Sequence, residues 1–118
     1  MGQPTRQFFD RLARRIPRQL PREVRGTLRC DLRTGEHIEH WYLTVGEDVE
    51  VSHSDAEADC IIRCDTATFD AVVTGRLNAM AAYLRGRIEA EGKVGMLEAL
   101  QMLVREDGPE RRVVHGTP

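Results

Sequence analysis

Few side chains in this chain could do covalent or metal chemistry, and their spacing argues against both. Cys30, Cys60 and Cys64 are the thiols, and His37 and His40 are the imidazoles nearest to a regular element. A nucleophilic thiolate needs a base beside it, and a zinc site needs a tetrahedral set of Cys and His. His37 and His40 lie three apart in an alternating segment and so point to opposite faces. Cys60 and Cys64 point the same way along a strand but about two pleats apart, with no paired histidine motif. The odd count speaks against a disulfide framework and for a reducing, cytoplasmic location. The expectation is three buried thiols acting as small hydrophobes, with no catalytic residue, no metal and no cofactor.

The elements that would carry these residues are legible from periodicity. Gly26 to Arg33 alternates, with Leu28, Cys30 and Leu32 on one side; Ile38 to Val45 sends Trp41, Leu43 and Val45 inward. Val49 to Val51 follows a turn at Gly46, and Asp59 to Asp65 gives a fourth strand with Cys60, Ile62 and Cys64 on one face. Asp65 or Thr66 then caps a helix containing Phe69, Val72 and Val73. Leu77 to Arg85 reads as a second helix, Arg87 to Glu91 as a fifth strand with Ile88 and Ala90 inward, and Lys93 to Val104 as a last helix with a broad apolar arc. Strands apolar on one side and charged on the other imply an antiparallel or mixed sheet, helices covering its dry face. The fold class is therefore α+β, in two layers, with a five-stranded, mostly antiparallel sheet.

At 118 residues one domain is expected, spanning 1–105, with 106–118 as a disordered tail. Apolar runs are too short to span a bilayer, and Phe8 and Phe9 stand among arginines with no signal-peptide core behind them. The net charge of −2 is unevenly spread. Residues 1–35 hold nine arginines against Asp10, Glu23 and Asp31, whereas 36–70 hold Arg63 against ten acids. No string mixing basic and aromatic residues suggests nucleic acid. After a loose start at Met1 to Thr5, Arg6 to Ile16 forms a basic amphipathic helix with Phe8, Phe9, Leu12 and Ile16 on one side; Pro17 and Pro21 end it. That apolar side either packs on the domain's own sheet or rests on an anionic membrane, with Arg11, Arg14, Arg15 and Arg18 facing phosphates. The same arginines could instead neutralise the acidic block within the fold.

Apolar residues exceed what any catalytic reading could use: Phe69, Leu77, Met80, Leu84, Met96, Leu97, Leu100, Leu103 and Val104 from helices, and Trp41, Leu43, Val51 and Ile88 from the sheet. An ordinary core would use the same types. Met80, Met96 and Met102 would suit an irregular cavity, because an unbranched thioether adapts to its surroundings.

The string GRLNAMAAYLRGRIEAEG from Gly75 to Gly92 resembles the sterol carrier protein 2 type lipid-binding domain, with its glycines and alternating strand at the family's spacing. Ala79 stands where that family often has proline, and Tyr83 with Leu84 where it more often has phenylalanine and methionine. Segments beginning at Gly26, Trp41 and Asp59 look like its first, second and fourth strands, so the resemblance spans about Leu20 to Arg105. It implies an apolar tunnel between sheet and helices, and turns the thirteen apolar residues above into a candidate lining for a fatty acyl, sterol-like or isoprenoid lipid. The function implied is non-catalytic lipid binding and transfer by a monomer or weak dimer. The alternative is a protein interaction or dimerisation module of the same fold with a collapsed cavity. The excess of arginine over lysine suggests a bacterial source, and the chain resembles a stand-alone member.

Overall fold

Alternation along four segments and a short fifth produces one sheet in the computed structural model, which describes residues 3–14 and 25–107. In chain order the elements are α1 (Gln3–Arg14), β1 (Gly26–Thr34), β2 (His37–Val45), β3 (Val49–Ser52), β4 (Cys60–Asp65), α2 (Thr66–Val73), α3 (Ala79–Leu84), β5 (Glu89–Gly92) and α4 (Met96–Asp107). The strand order is β3-β2-β1-β4-β5. β1 pairs antiparallel with β2 and parallel with β4, while β2/β3 and β4/β5 are antiparallel. The sheet is thus mixed, its single parallel pair joined by the β2–β3 excursion. In register, Leu28 lies between Leu43 and Cys60, and Cys30 between Trp41 and Ile62, which concentrates the apolar side chains on one face. Phe8, Phe9, Phe69, Leu97, Leu100 and Leu103 from the helices join them in one buried core. Among the described residues, no helix is long and apolar enough to cross a membrane.

Asp59 fixes how three strands meet. Its Oδ2 accepts from the Thr27 amide at 2.9 Å, its amide donates to Thr27 Oγ1 at 2.8 Å, and its carbonyl accepts from the Lys93 amide at 2.7 Å. Two glycines make room for it. At Gly26 (φ 149°) a Cβ would lie 2.7 Å from Asp59 Oδ2, and at Gly92 (φ 92°) it would run into the Asp59 carbonyl. Both also hold backbone conformations that disfavour other residues.

Several boundaries differ from the sequence reading for physical reasons. The start is not loose: Gln3 to Thr5 belong to α1, where Pro4 is tolerated because its missing N–H falls in the first turn. Ile16, Arg15, Arg18 and the connector between the two prolines lie outside the described residues, as does 108–118. α3 is shorter than expected and begins after Leu77, because Asn78 takes the capping position and accepts from the Ala81 amide. α4 starts at Met96 rather than Lys93, whose amide is committed to Asp59. It also runs past Arg105, so Glu106 and Asp107 are helical, and Asp107 is buried rather than part of a tail. β5 begins at Glu89, with Ile88 already buried just ahead of it.

Candidate functional site

The candidate site is the apolar layer between the sheet and the helices. Of the thirteen candidate lining residues, Trp41, Leu43, Phe69, Ile88, Met96, Leu97, Leu100, Leu103 and Val104 are buried there, and Val51, Leu77 and Met80 pack partly buried against them. Leu84 does not belong. It is 75% exposed, because α3 turns Ala79 and Ala82 inward and the last residue of so short a helix falls on the opposite side.

Sequence reasoning left the α1 aromatics out of the candidate lining, yet they are buried in the same apolar core. Phe9 stacks on Trp41 with centroids 4.4 Å apart and planes at 10°, and on Phe69 at 5.6 Å and 9°; Phe8 meets Phe9 edge-on at 5.3 Å. Phe8, Phe9 and Leu12 are almost wholly buried, so the apolar side of α1 packs on the protein itself. The signal was present in the amphipathic spacing, but spacing alone does not distinguish a sheet from a membrane as the covering surface. Polar contacts seat the helix at both ends. The Thr5 amide and hydroxyl donate to Asp70 Oδ1 at 3.1 and 2.6 Å. Arg11 grips Asp107 through two parallel bonds, Nε to Oδ1 at 2.8 Å and its terminal nitrogen to Oδ2 at 2.8 Å. The hydrogen bonds to Asp107 also raise the Arg11 pKa. Ala79 donates its amide to Gln101 Oε1 at 2.9 Å, tying α3 to α4.

Trp41 is 5% exposed and its Nε1 has no hydrogen-bond partner among the described residues. Its ring lies 4.2 Å from that of His53, whose Nδ1 donates to the His40 carbonyl at 3.0 Å.

The other face of the sheet carries a polar network that sequence reasoning missed. Asp31 accepts from Arg29 Nε and its terminal nitrogen, both at 3.0 Å, and from His40 Nδ1 at 2.7 Å, with Arg63 at 3.7 Å. Burial pushes the Asp31 carboxyl up, but the bonds from Arg29 and His40 outweigh it and hold its pKa below the usual 3.8. Arg33 pairs with Asp65 at 2.9 Å and Arg63 with Glu91 at 3.1 Å around an open depression of about 300 Å³. Two arginines of the basic segment thus meet acids of the acidic one, Arg6 near Glu39 at 3.8 Å and Arg33 at Asp65, whereas Arg11 pairs outside it, with Asp107. The imidazole–carboxylate pair has no thiolate to activate. Cys30, Cys60 and Cys64 are free and buried, and burial raises all three pKa values, that of Cys64 to about 12. A neutral buried thiol is a poor nucleophile and metal ligand.

Comparison with known proteins bears on the apolar layer. The model of the SCP-2 sterol transfer family matches residues 9–105. Sterol carrier protein 2 of Homo sapiens is 31% identical over 70 residues, a stretch that is 58% of this chain and 13% of the human protein. Among solved structures, sterol carrier protein 2 from Aedes aegypti in complex with the C16 fatty acid palmitate superposes with a TM-score of 0.67 at 18% identity, covering 90% of this chain and 98% of that one. The apo form from Yarrowia lipolytica superposes with a TM-score of 0.61 at 16% identity, covering 89% and 77%.

Proposed function

The chain belongs to the SCP-2 sterol transfer family, and on that premise we propose that its apolar layer binds and transfers a lipid without catalysing any reaction on it. The observation that carries the proposal is the reach of the family match, which takes in Phe9, both walls of the layer and α4 as far as Arg105. The fatty acid held by the Aedes aegypti protein supports a lipid tail as the occupant. Moving a tail from water into such a layer gains about 0.8 kcal/mol per methylene, so a long chain or fused ring system is driven in with few polar contacts. Mechanism here means partition and release, with no bond made or broken.

Three further readings accompany this one. The lining is drawn from the twelve inward-facing candidates, Leu84 excluded, together with Phe8 and Phe9 of α1. An anionic membrane is the donor or acceptor surface, approached through exposed arginines such as Arg14. A cytoplasmic location suits three free thiols, which a reducing compartment preserves.

A fluorescent fatty acid titrated into the protein should saturate at one site per chain. Leu97→Trp and Leu100→Trp, both made at fully buried positions on α4, should weaken binding several-fold with the fold retained. Lipid found by mass spectrometry of the purified protein would name the ligand. A protein that carries no lipid and binds none, but self-associates, would support the interaction-module reading instead.

A further inference from the structure

Trp41 carries a group that the apolar layer does not need. Phenylalanine would supply the same stack on Phe9 and the same apolar contact, yet β2 places an indole there and seals its N–H from solvent with no hydrogen-bond partner among the described residues. An indole N–H can only donate, and a buried donor left without a partner costs about 1–3 kcal/mol. Phe9 covers the face of the ring, which leaves the edge as the route to the nitrogen. On the neighbouring His53, whose ring centroid lies 4.2 Å from that of Trp41, Nδ1 donates to the His40 carbonyl and Nε2 is left as an acceptor, yet it makes no bond to the indole N–H. Trp41, with this unsatisfied donor, belongs to the buried apolar core between sheet and helices, the layer that the lipid reading assigns to the ligand.

We propose that Trp41 Nε1–H is the head-group anchor of the site, and that the ligand is a lipid bearing a neutral oxygen acceptor, a hydroxyl or carbonyl, rather than a bare hydrocarbon. The proposal rests on the lipid-binding reading and narrows it. A neutral acceptor is specified because one uncharged donor satisfies a hydroxyl or carbonyl oxygen but leaves a buried carboxylate largely uncompensated. Retaining the donor is then a matter of selectivity: the free state bears the cost, and the correct head group relieves it.

Three probes of comparable length test this: methyl parinarate, with a neutral carbonyl; parinaric acid, ionised at neutral pH; and diphenylhexatriene, with no acceptor. In the parent protein the ester should bind more tightly than the acid. Trp41→Phe should weaken the ester about fivefold, the value of one neutral hydrogen bond, and weaken diphenylhexatriene distinctly less. Because the chain has one tryptophan, the indole N–H gives a single proton–nitrogen NMR peak in the unaltered protein. That peak should move downfield with the ester and not with diphenylhexatriene, a readout that survives even if the variant folds poorly. Equal loss of both neutral probes in Trp41→Phe, or an indole peak indifferent to the ester at saturation, overturns the anchor while leaving lipid binding intact. Failure of the parent protein to bind any of the three overturns both.

Discussion

Asp31 sits where a single carboxylate organises the solvent side of a sheet. Its oxygens take bonds from Arg29 and His40, and the three side chains come from two adjacent strands. Because the folded carboxyl has its pKa below the ordinary 3.8, its contribution to stability is complete above that value and is lost as pH falls through the lower folded one. Asp31→Asn should therefore cost about 2 kcal/mol at neutral pH, the scale of hydrogen bonds to a charged group. It should also flatten the acid limb of a melting-temperature profile taken between pH 5 and 2. A variant whose acid limb matches the parent's would place the acid sensitivity in other carboxylates. Nothing in the strand pattern revealed this residue, since Arg29, Asp31 and Arg33 read equally well as a solvated edge. Pairing with β2 and β4 is what brings His40 and Arg63 to it, and pairing is a tertiary fact.

Among elements, the alternating strands were legible to within a residue or two, because a sheet with one buried face enforces a period of two. The helices were legible in kind and less so in extent. α3 loses its first residues to the Asn78 cap, and α4 is displaced by the bond between Lys93 and Asp59, neither of which has a periodic signature. α1 was the ambiguous element, and the structure divides its arginines between roles. Arg11 is bound to the buried Asp107, whereas Arg14 is exposed. Arg11→Gln should destabilise the protein by about 1–2 kcal/mol through loss of a charge-assisted pair and speed amide exchange throughout α1. Arg14→Gln should leave stability within about 0.5 kcal/mol and slow lipid transfer to anionic vesicles but not to neutral ones. If Arg14→Gln has no vesicle-charge dependence, the membrane approach lies elsewhere on the surface.

For the molecule as a whole, the layered α+β plan and most of the buried apolar core were readable, while the place of Phe9 within that core was not. Phe9 enters it through the docking of a helix whose partners are remote in sequence: Thr5 and Asp70 are 65 residues apart, and Arg11 and Asp107 are 96. That remoteness has a consequence in time. Closing such long loops is entropically expensive, so α1 can be seated only after the sheet and α4 exist to receive it. During synthesis Phe8 and Phe9 emerge from the ribosome long before their pocket does, and remain a sticky, unsatisfied pair until the last helix forms. Refolding measured by stopped flow should show this order. Substitutions at Thr5 and Arg11 should accelerate unfolding and barely alter the folding rate, with φ-values near 0, whereas conservative truncations at the β1/β2 pairing should retard folding. High φ-values in α1 would mean instead that the helix guides the assembly it finally caps.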